Sequence, residues 1–248
     1  NNQMKNISRL IGGVVVTAAM LTATIVNAAE IGFVNNDGTL DRPFDEGWVN
    51  RLTDQGHNVT LWAQGTEATD PGLAAMDLFI VSSRVGSGDF IGGIGLYQPK
   101  SYITYEPFLY DEVFGTGAGN GDGTLPMSIV DHTHYLAQAM NGEVSIYGGE
   151  SGSVPIGALP GSAGTTVIGT SEGAGSLMTL EVGAEGGLGT FPSLWIAVPV
   201  DDDWDPALVT DAGWKILDAA VAYAMVPEPS SFALIGLGLA AFFARRRR

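Results

Sequence analysis

An α/β fold built on a mostly parallel sheet is what this chain predicts, and three observations predict it. Short apolar runs rich in β-branched and aromatic residues recur along the first half. Helical segments and turn chemistry separate them. The second half turns glycine-rich and strand-like before a last amphipathic helix. Strands alternating with helices argue for parallel pairing through right-handed crossovers, and the glycine-rich part argues for β-hairpins.

The elements follow in order. Ile31–Asn35 reads as a buried strand. A helix follows, with Pro43 at its start, acids in its first turn, Phe44, Trp48 and Leu52 on one face and Gly56 closing it. Asn58–Trp62, Asp77–Ser83 and Ser101–Glu106 read as the second, third and fourth strands. After Ser128–Val130 comes a short helix, "HYLAQAM". "VSIY", "TTVIG", "SLMTLEV" and "SLWIAV" then read as strands. In "TDAGWKILDAAVAYAM", Trp214, Leu217, Val221 and Ala224 share one face behind a Thr210 or Asp211 cap. Residues 30–226 are expected to form one domain. About 200 residues suffice to bury a core without disulfides.

Charge excludes some functions. The chain has 248 residues, no cysteine and a formal net charge of −16. Of 27 acidic residues only Glu228 lies outside residues 30–227, where Arg42, Arg51, Arg84, Lys100 and Lys215 are the basic side chains. Such a surface repels phosphate backbones and anionic lipid, so nucleic acid is not an expected partner.

Both ends read as addresses. Residues 1–29 have the layout of a secretory signal peptide, expected to be helical, with Met4 as the expected start. Lys5 and Arg9 make a positive opening, and Leu10 to Val26 is mostly apolar. Asn27-Ala28-Ala29 offers small residues for cleavage after Ala28 or Ala29. A core helix or a retained anchor is the competing reading. The strand-like segment that follows at once favours cleavage. At the other end, Phe232–Ala244 is a run of 13 apolar or glycine residues before Arg245, Arg246, Arg247 and Arg248. As a helix it spans ~20 Å of a ~30 Å hydrocarbon core, which suits transient insertion in the inner membrane better than a permanent anchor. The arginines would stay cytoplasmic and residues before Pro227 outside, in agreement with the signal peptide.

Pro227-Glu228-Pro229, a short apolar helix and a terminal arginine cluster resemble a PEP-CTERM sorting signal over residues 227–248. The resemblance implies export by a Gram-negative, polysaccharide-producing bacterium and processing of the tail by an exosortase. It implies passage through the periplasm to the cell surface or extracellular matrix. A plain C-terminal anchor is the alternative.

The middle has its own resemblance. "IGFVNNDG…GWVNRLTDQGHNVTLW", "DLFIVSSRVGSG", "YITYEPFLYDEV", "HTHYLAQAMNGEVSIY" and "TDAGWKILDAAVAYAM" resemble, in that order, the class I glutamine-amidotransferase-like fold and its ThuA-like branch. That implies a flavodoxin-like three-layer sandwich. It also implies a nucleophile elbow after Tyr102–Tyr105, where true amidotransferases carry cysteine. Glu106 stands there instead, and with no cysteine in the chain a thiol mechanism is impossible. The His-Pro-Leu element of ThuA-like sequences reads His134-Tyr135-Leu136 here.

In open α/β sheets ligands bind beyond the carboxyl ends of the strands. That rim is expected to gather Asn36, Asp37, Ser83, Arg84, Glu106 and Asp131, with His132 and His134 close by. Glu106 would be a general acid with Asp111 or His134 beside it, or else a hydrogen-bonded relic of an elbow. Arg84 is expected to pair with a rim carboxylate. "GTSEG" (Gly169–Gly173) fits a serine-nucleophile expression, but strand-like flanks on both sides read as a hairpin, so Ser171 is rejected. "GAGNGDG" (Gly117–Gly123) echoes part of a calcium loop but lacks its end carboxylates and reads as a flexible loop. Asp201, Asp202 and Asp203 could hold a hard cation, a solvated acidic turn being the favoured reading. His57 is expected to be a connector. No cofactor is expected. The whole reads as an exported, non-catalytic surface protein associated with exopolysaccharide. The alternative is a surface hydrolase of glycan or ester using Glu106.

Overall fold

The computed structural model describes residues 28–95, 100–138, 140, 142–149 and 152–226. Most of the expected signal peptide, and the tail with Pro227, Glu228, Pro229 and the four arginines, lie outside them. In chain order the first elements are β1 (Glu30–Asn35), α1 (Pro43–Asp54), β2 (Asn58–Ala63), β3 (Leu78–Val81), α2 (Ser87–Gly92) and β4 (Ser101–Thr104). Next come α3 (Tyr110–Phe114), β5 (Gly117–Asp122), β6 (Met127–Ile129), β7 (Glu143–Val144), β8 (Ser153–Ala158) and β9 (Thr165–Ser171). The last are β10 (Ala174–Leu180), β11 (Glu185–Gly186), β12 (Gly189–Thr190), β13 (Trp195–Ala197) and α4 (Asp211–Ala224).

Five strands pair in parallel in the order β2-β1-β3-β4-β13. This is the flavodoxin-like order, with β13 as the fifth strand. β3 explains why such a sheet needs helices on both faces. Leu78 and Ile80 enter one core, Phe79 and Val81 the other, and all four are fully buried. α1 and α4 cover the first face. Phe44, Trp48 and Leu52 of α1 and Ile216, Leu217 and Val221 of α4 join one cluster. α2 and α3 cover the second face through Phe90, Tyr110, Val113 and Phe114. There Tyr102 stacks on Trp195 with ring centroids 4.1 Å apart and planes 6° apart.

Local chemistry sets the helix ends. Pro43 opens α1 with Asp45 and Glu46 in its first turn, and Gly56, at φ +91°, lets the chain leave for β2. Thr210 caps α4, its hydroxyl accepting from the Gly213 N–H at 3.0 Å. Arg51 joins the two helices, its Nε and Nη2 lying 2.9 and 2.6 Å from the Asp218 carboxylate.

The sheet is mixed beyond β13. β10 runs antiparallel to β13, β9 to β10, β6 to β9 and β7 to β6, while β8 touches β10 and carries β5. The glycine-rich hairpins therefore extend the sheet that the parallel strands begin. β9 and β10 meet at a two-residue turn with both Glu172 (φ 51°) and Gly173 (φ 78°) left-handed. This tight hairpin leaves Ser171 buried.

Four expectations change. Gly117–Asp122 is a strand and not a flexible loop, because every one of its residues pairs with β8. Among its described residues "HYLAQAM" supplies a 3₁₀ turn at Tyr135–Ala137 in place of a helix. The strand at Met127–Ile129 is antiparallel to its neighbours, which reverses the edge on which it ends. His57 is more than a connector: it is buried and its Nδ1 accepts from the Ala29 N–H at 3.2 Å, fastening the chain where it enters β1.

Gly32, at the centre of β1, faces Phe79 across the ladder, and a Cβ there would lie 2.5 Å from two of its ring carbons. Gly32→Ala should cost ~1–3 kcal/mol by overpacking and lower the denaturant midpoint with an unchanged m-value. An unaltered midpoint in a urea melt would contradict this packing.

Candidate functional site

The carboxyl ends of β1, β3, β4 and β13 share one edge of the sheet, and α1 begins above it. Steric and polar constraints fix each side chain. Beyond β1, Asn35 is buried and folds the next loop: its Oδ1 accepts from the Gly38 N–H at 2.6 Å and its Nδ2 donates to the Thr39 carbonyl. Asn36 is half-buried. Asp37 is exposed, and the Thr39 hydroxyl and N–H bound to it at 2.8 and 3.0 Å hold its pKa below the ordinary value.

Asp45 is the group that the sequence reading passed over. It is 0 % exposed, and accepts from the Tyr105 hydroxyl and, at 2.9 Å, from the Ser82 hydroxyl. Burial outweighs those bonds and pushes its pKa up to about 6. The signal was present: Asp45, Trp48, Val49 and Leu52 have i, i+3, i+4, i+7 spacing, which places the carboxylate on the buried stripe of α1.

From β3, the Ser83 hydroxyl donates to Asp202 Oδ1 at 2.6 Å and accepts from the Asp202 N–H at 3.1 Å. Arg84 pairs with Asp41. The turn after β13 brings Asp201 and Asp202 inward. Both are buried, so the solvated acidic turn expected for this stretch is corrected: Ser83, Ser153 and Tyr147 draw the two carboxyl-bearing residues under the rim. Burial, with Asp201 alongside, pushes the Asp202 pKa up to about 6. Asp203 stays exposed, and Arg42 pairs with it and, at 3.4 Å, with Asp202.

Glu106 lies among these acids and is 1 % exposed. Its Oε1 accepts from the Phe108 N–H at 2.7 Å, capping the Pro107–Leu109 turn. Burial and the nearby Asp202, Asp201 and Glu112 carboxylates push its pKa up to about 8 against that bond, so at neutral pH it is mostly a neutral acid. Its backbone, φ −82° and ψ 108°, is ordinary extended chain and not a strained elbow.

Asp131 and His134 stand elsewhere. β6 runs opposite to β4, so its end leads to the other edge of the sheet. There Asp131 bonds Thr133, and His134 lies edge-on to Tyr223 of α4 at 5.2 Å. His134 therefore cannot partner Glu106, and the acids that act on Glu106 are Asp202, Asp201 and Glu112. The site that the fold assembles is thus Asp45, Glu106, Asp201 and Asp202 with Ser82, Ser83 and Tyr105. Its carboxyl groups can hold protons.

The class of fold comes first from solved structures. The chain is similar to two cytoplasmic proteins of Salmonella typhimurium. STM3548 matches with TM-score 0.51 and 8 % identity over 79 % of this chain and 98 % of that one. STM1381 matches with TM-score 0.51 and 11 % identity over 80 % of this chain and 100 % of that one. A glutamine amidotransferase of Thermotoga maritima aligns more loosely, with TM-score 0.40 and 9 % identity over 68 % of this chain and 74 % of that one, and carries no argument about activity. The two Salmonella likenesses show the fold alone, a mixed α/β fold, and no chemistry. No curated protein matches the chain by sequence. The particular identification rests on the tail: residues 226–248 match the PEP-CTERM protein-sorting motif. The chain is therefore an exported, surface-directed protein with a tail of the kind that exosortases process.

Glu106 yields a prediction about stability. Its folded pKa is raised, so the folded chain holds a proton that the unfolded chain releases between about pH 4.5 and 8. Stability falls as pH rises through that window. Glu106→Gln keeps the capping oxygen and removes the charge. Its melting temperature should equal that of the parent near pH 4 and exceed it by roughly 5 °C above pH 8, an effect of a few kcal/mol at most. An equal difference at both pH values would refute the assignment.

Proposed function

We propose that this chain is an exported, non-catalytic domain of the cell surface or extracellular matrix. It is handed to an exosortase through residues 227–248 and associates with exopolysaccharide. The observation that carries the non-catalytic part is Glu106. At the strand end where the resembling enzymes place a nucleophile, it is buried, protonated near neutrality and engaged in capping the next turn. The sorting motif supports export and processing, and the polysaccharide association follows from the kind of bacteria whose proteins carry such tails. Among the described residues no helix is long and apolar enough to cross a membrane. The tail lies outside those residues, and in this reading its 13-residue apolar run inserts only in transit.

Ala29 refines the other end. It is fully buried, and its N–H is held by His57. Cleavage after Ala28 would keep that residue at the new terminus, and cleavage after Ala29 would remove it together with its contact to His57.

One observation favours a second reading. A neutral Glu106 near the ionisable Asp202 is the kind of unequal carboxyl pair that hydrolases of glycans use. In that reading the domain is a surface hydrolase with Glu106 as general acid.

Two measurements test these statements. Mass spectrometry of the protein recovered outside the producing cell should find a chain lacking residues 230–248; an intact tail refutes processing. The protein should also co-sediment with the producer's extracellular polysaccharide and release no new reducing ends. Release that disappears in Glu106→Gln would establish the hydrolase, and absence of co-sedimentation would remove the polysaccharide association.

A further inference from the structure

We propose that a surface patch around Tyr223, at the end of α4, is where the exosortase docks on the folded domain while it processes the tail. The proposal rests on the reading that such an enzyme takes residues 226–248, the span of the sorting motif. α4 ends at Ala224, and the motif begins at Val226. Three extended residues reach at most ~11 Å. An enzyme that engages Pro227 therefore works against the end of this helix.

The surface at that point is apolar and aromatic. Tyr135, Val182 and Val226 are 45, 40 and 55 % exposed, and each is tied to Tyr223. The Tyr135 ring stacks on the Tyr223 ring with centroids 5.6 Å apart and planes 19° apart. The Tyr223 hydroxyl donates to Glu181, the chain neighbour of Val182, at 2.9 Å. The Val226 N–H donates to the Tyr223 carbonyl at 3.2 Å. His134 lies edge-on to the same ring. Single exposed apolar side chains are ordinary, but several gathered on one residue mark an interaction surface, and tyrosine is enriched where partners are gripped.

Topology fixes which way the patch faces. The hydroxyl of Ser101, the first residue of β4, donates to the Ala224 carbonyl at 3.0 Å, so α4 ends at the amino edge of the parallel strands. Ile31 pairs with Leu78 and Leu78 with Ser101, which sets the start of β1 two strands, or about 10 Å, from β4 on that same edge. The chain therefore enters and leaves the domain on one side, and Glu106 and its neighbouring acids face the other. A partner holding the tail meets Tyr135 and Val182 and not the rim. Charge favours a protein there over anionic lipid or a second copy: Glu181 stands in the patch, and a net charge of −16 repels both.

The test follows the full chain in the producing bacterium, pulse-labelled and recovered at intervals, with intact and shortened chains separated by mass. Tyr135→Ser should lengthen the half-time of tail loss ~5-fold or more, and Val182→Ser should act in the same direction. Phe108→Ser, which removes a 61 % exposed ring beside Glu106 on the opposite edge, should leave the half-time as it is. Should Tyr135→Ser lower the melting temperature, Val182→Ser, in the loop after β10, still decides. Unchanged half-times in both patch variants, with the parent processed, overturn the docking surface and leave tail processing standing. Equal slowing by Phe108→Ser also overturns it. A parent chain that never loses its tail removes the processing reading and this proposal with it. Dimers in native mass spectrometry that Tyr135→Ser abolishes would assign the patch to a second copy, again overturning it.

Discussion

The constraint on which this structure depends is that its parallel strands are apolar on both faces. β3 has no polar side to turn to water, so helices must cover the sheet twice. The chain meets that need with α1 and α4 on one face and α2 and α3 on the other. Parallel pairing then sends the carboxyl ends of β1, β3, β4 and β13 to the same edge. The rim site is a consequence of covering the sheet, before any chemistry is considered.

Acids on that edge are where the fold departs from minimum energy. Asp45, Glu106 and Asp202 are all buried and all titrate above the ordinary carboxyl range, chiefly because burial penalises their charged forms. Hydroxyls of Ser82, Ser83 and Tyr105 and the Phe108 N–H offset part of that cost. Arg42 offsets part of the rest from the surface side.

Between β4 and β13 the chain makes a long excursion through α3 and the strands β5 to β12 before the fifth parallel strand is laid down. That excursion separates the residues of the rim. Asp202 acts on Glu106 across it, and Ser153 reaches Asp201 from within it. The flavodoxin-like order is retained, while the elbow position holds a capping, buried glutamate.

By itself the sequence determined the alternation of strands and helices, the caps and breaks at Pro43, Gly56 and Thr210, and the β9–β10 hairpin. It also carried the sorting motif of residues 226–248. These are local matters of backbone geometry, periodicity and charge, legible in short windows. It pointed to one rim for Ser83, Arg84 and Glu106, because a strand end can be read from its apolar run. Tertiary structure alone decided that β6 runs backwards, which moves Asp131 and His134 to the opposite edge. It decided that glycines 117 to 121 lie in a strand and that Asp201 and Asp202 are buried. The physical reason is common to all three. Strand direction and carboxylate burial depend on partners far along the chain, such as β9 for β6 and Ser83 for Asp202, and no local pattern records which partner will arrive.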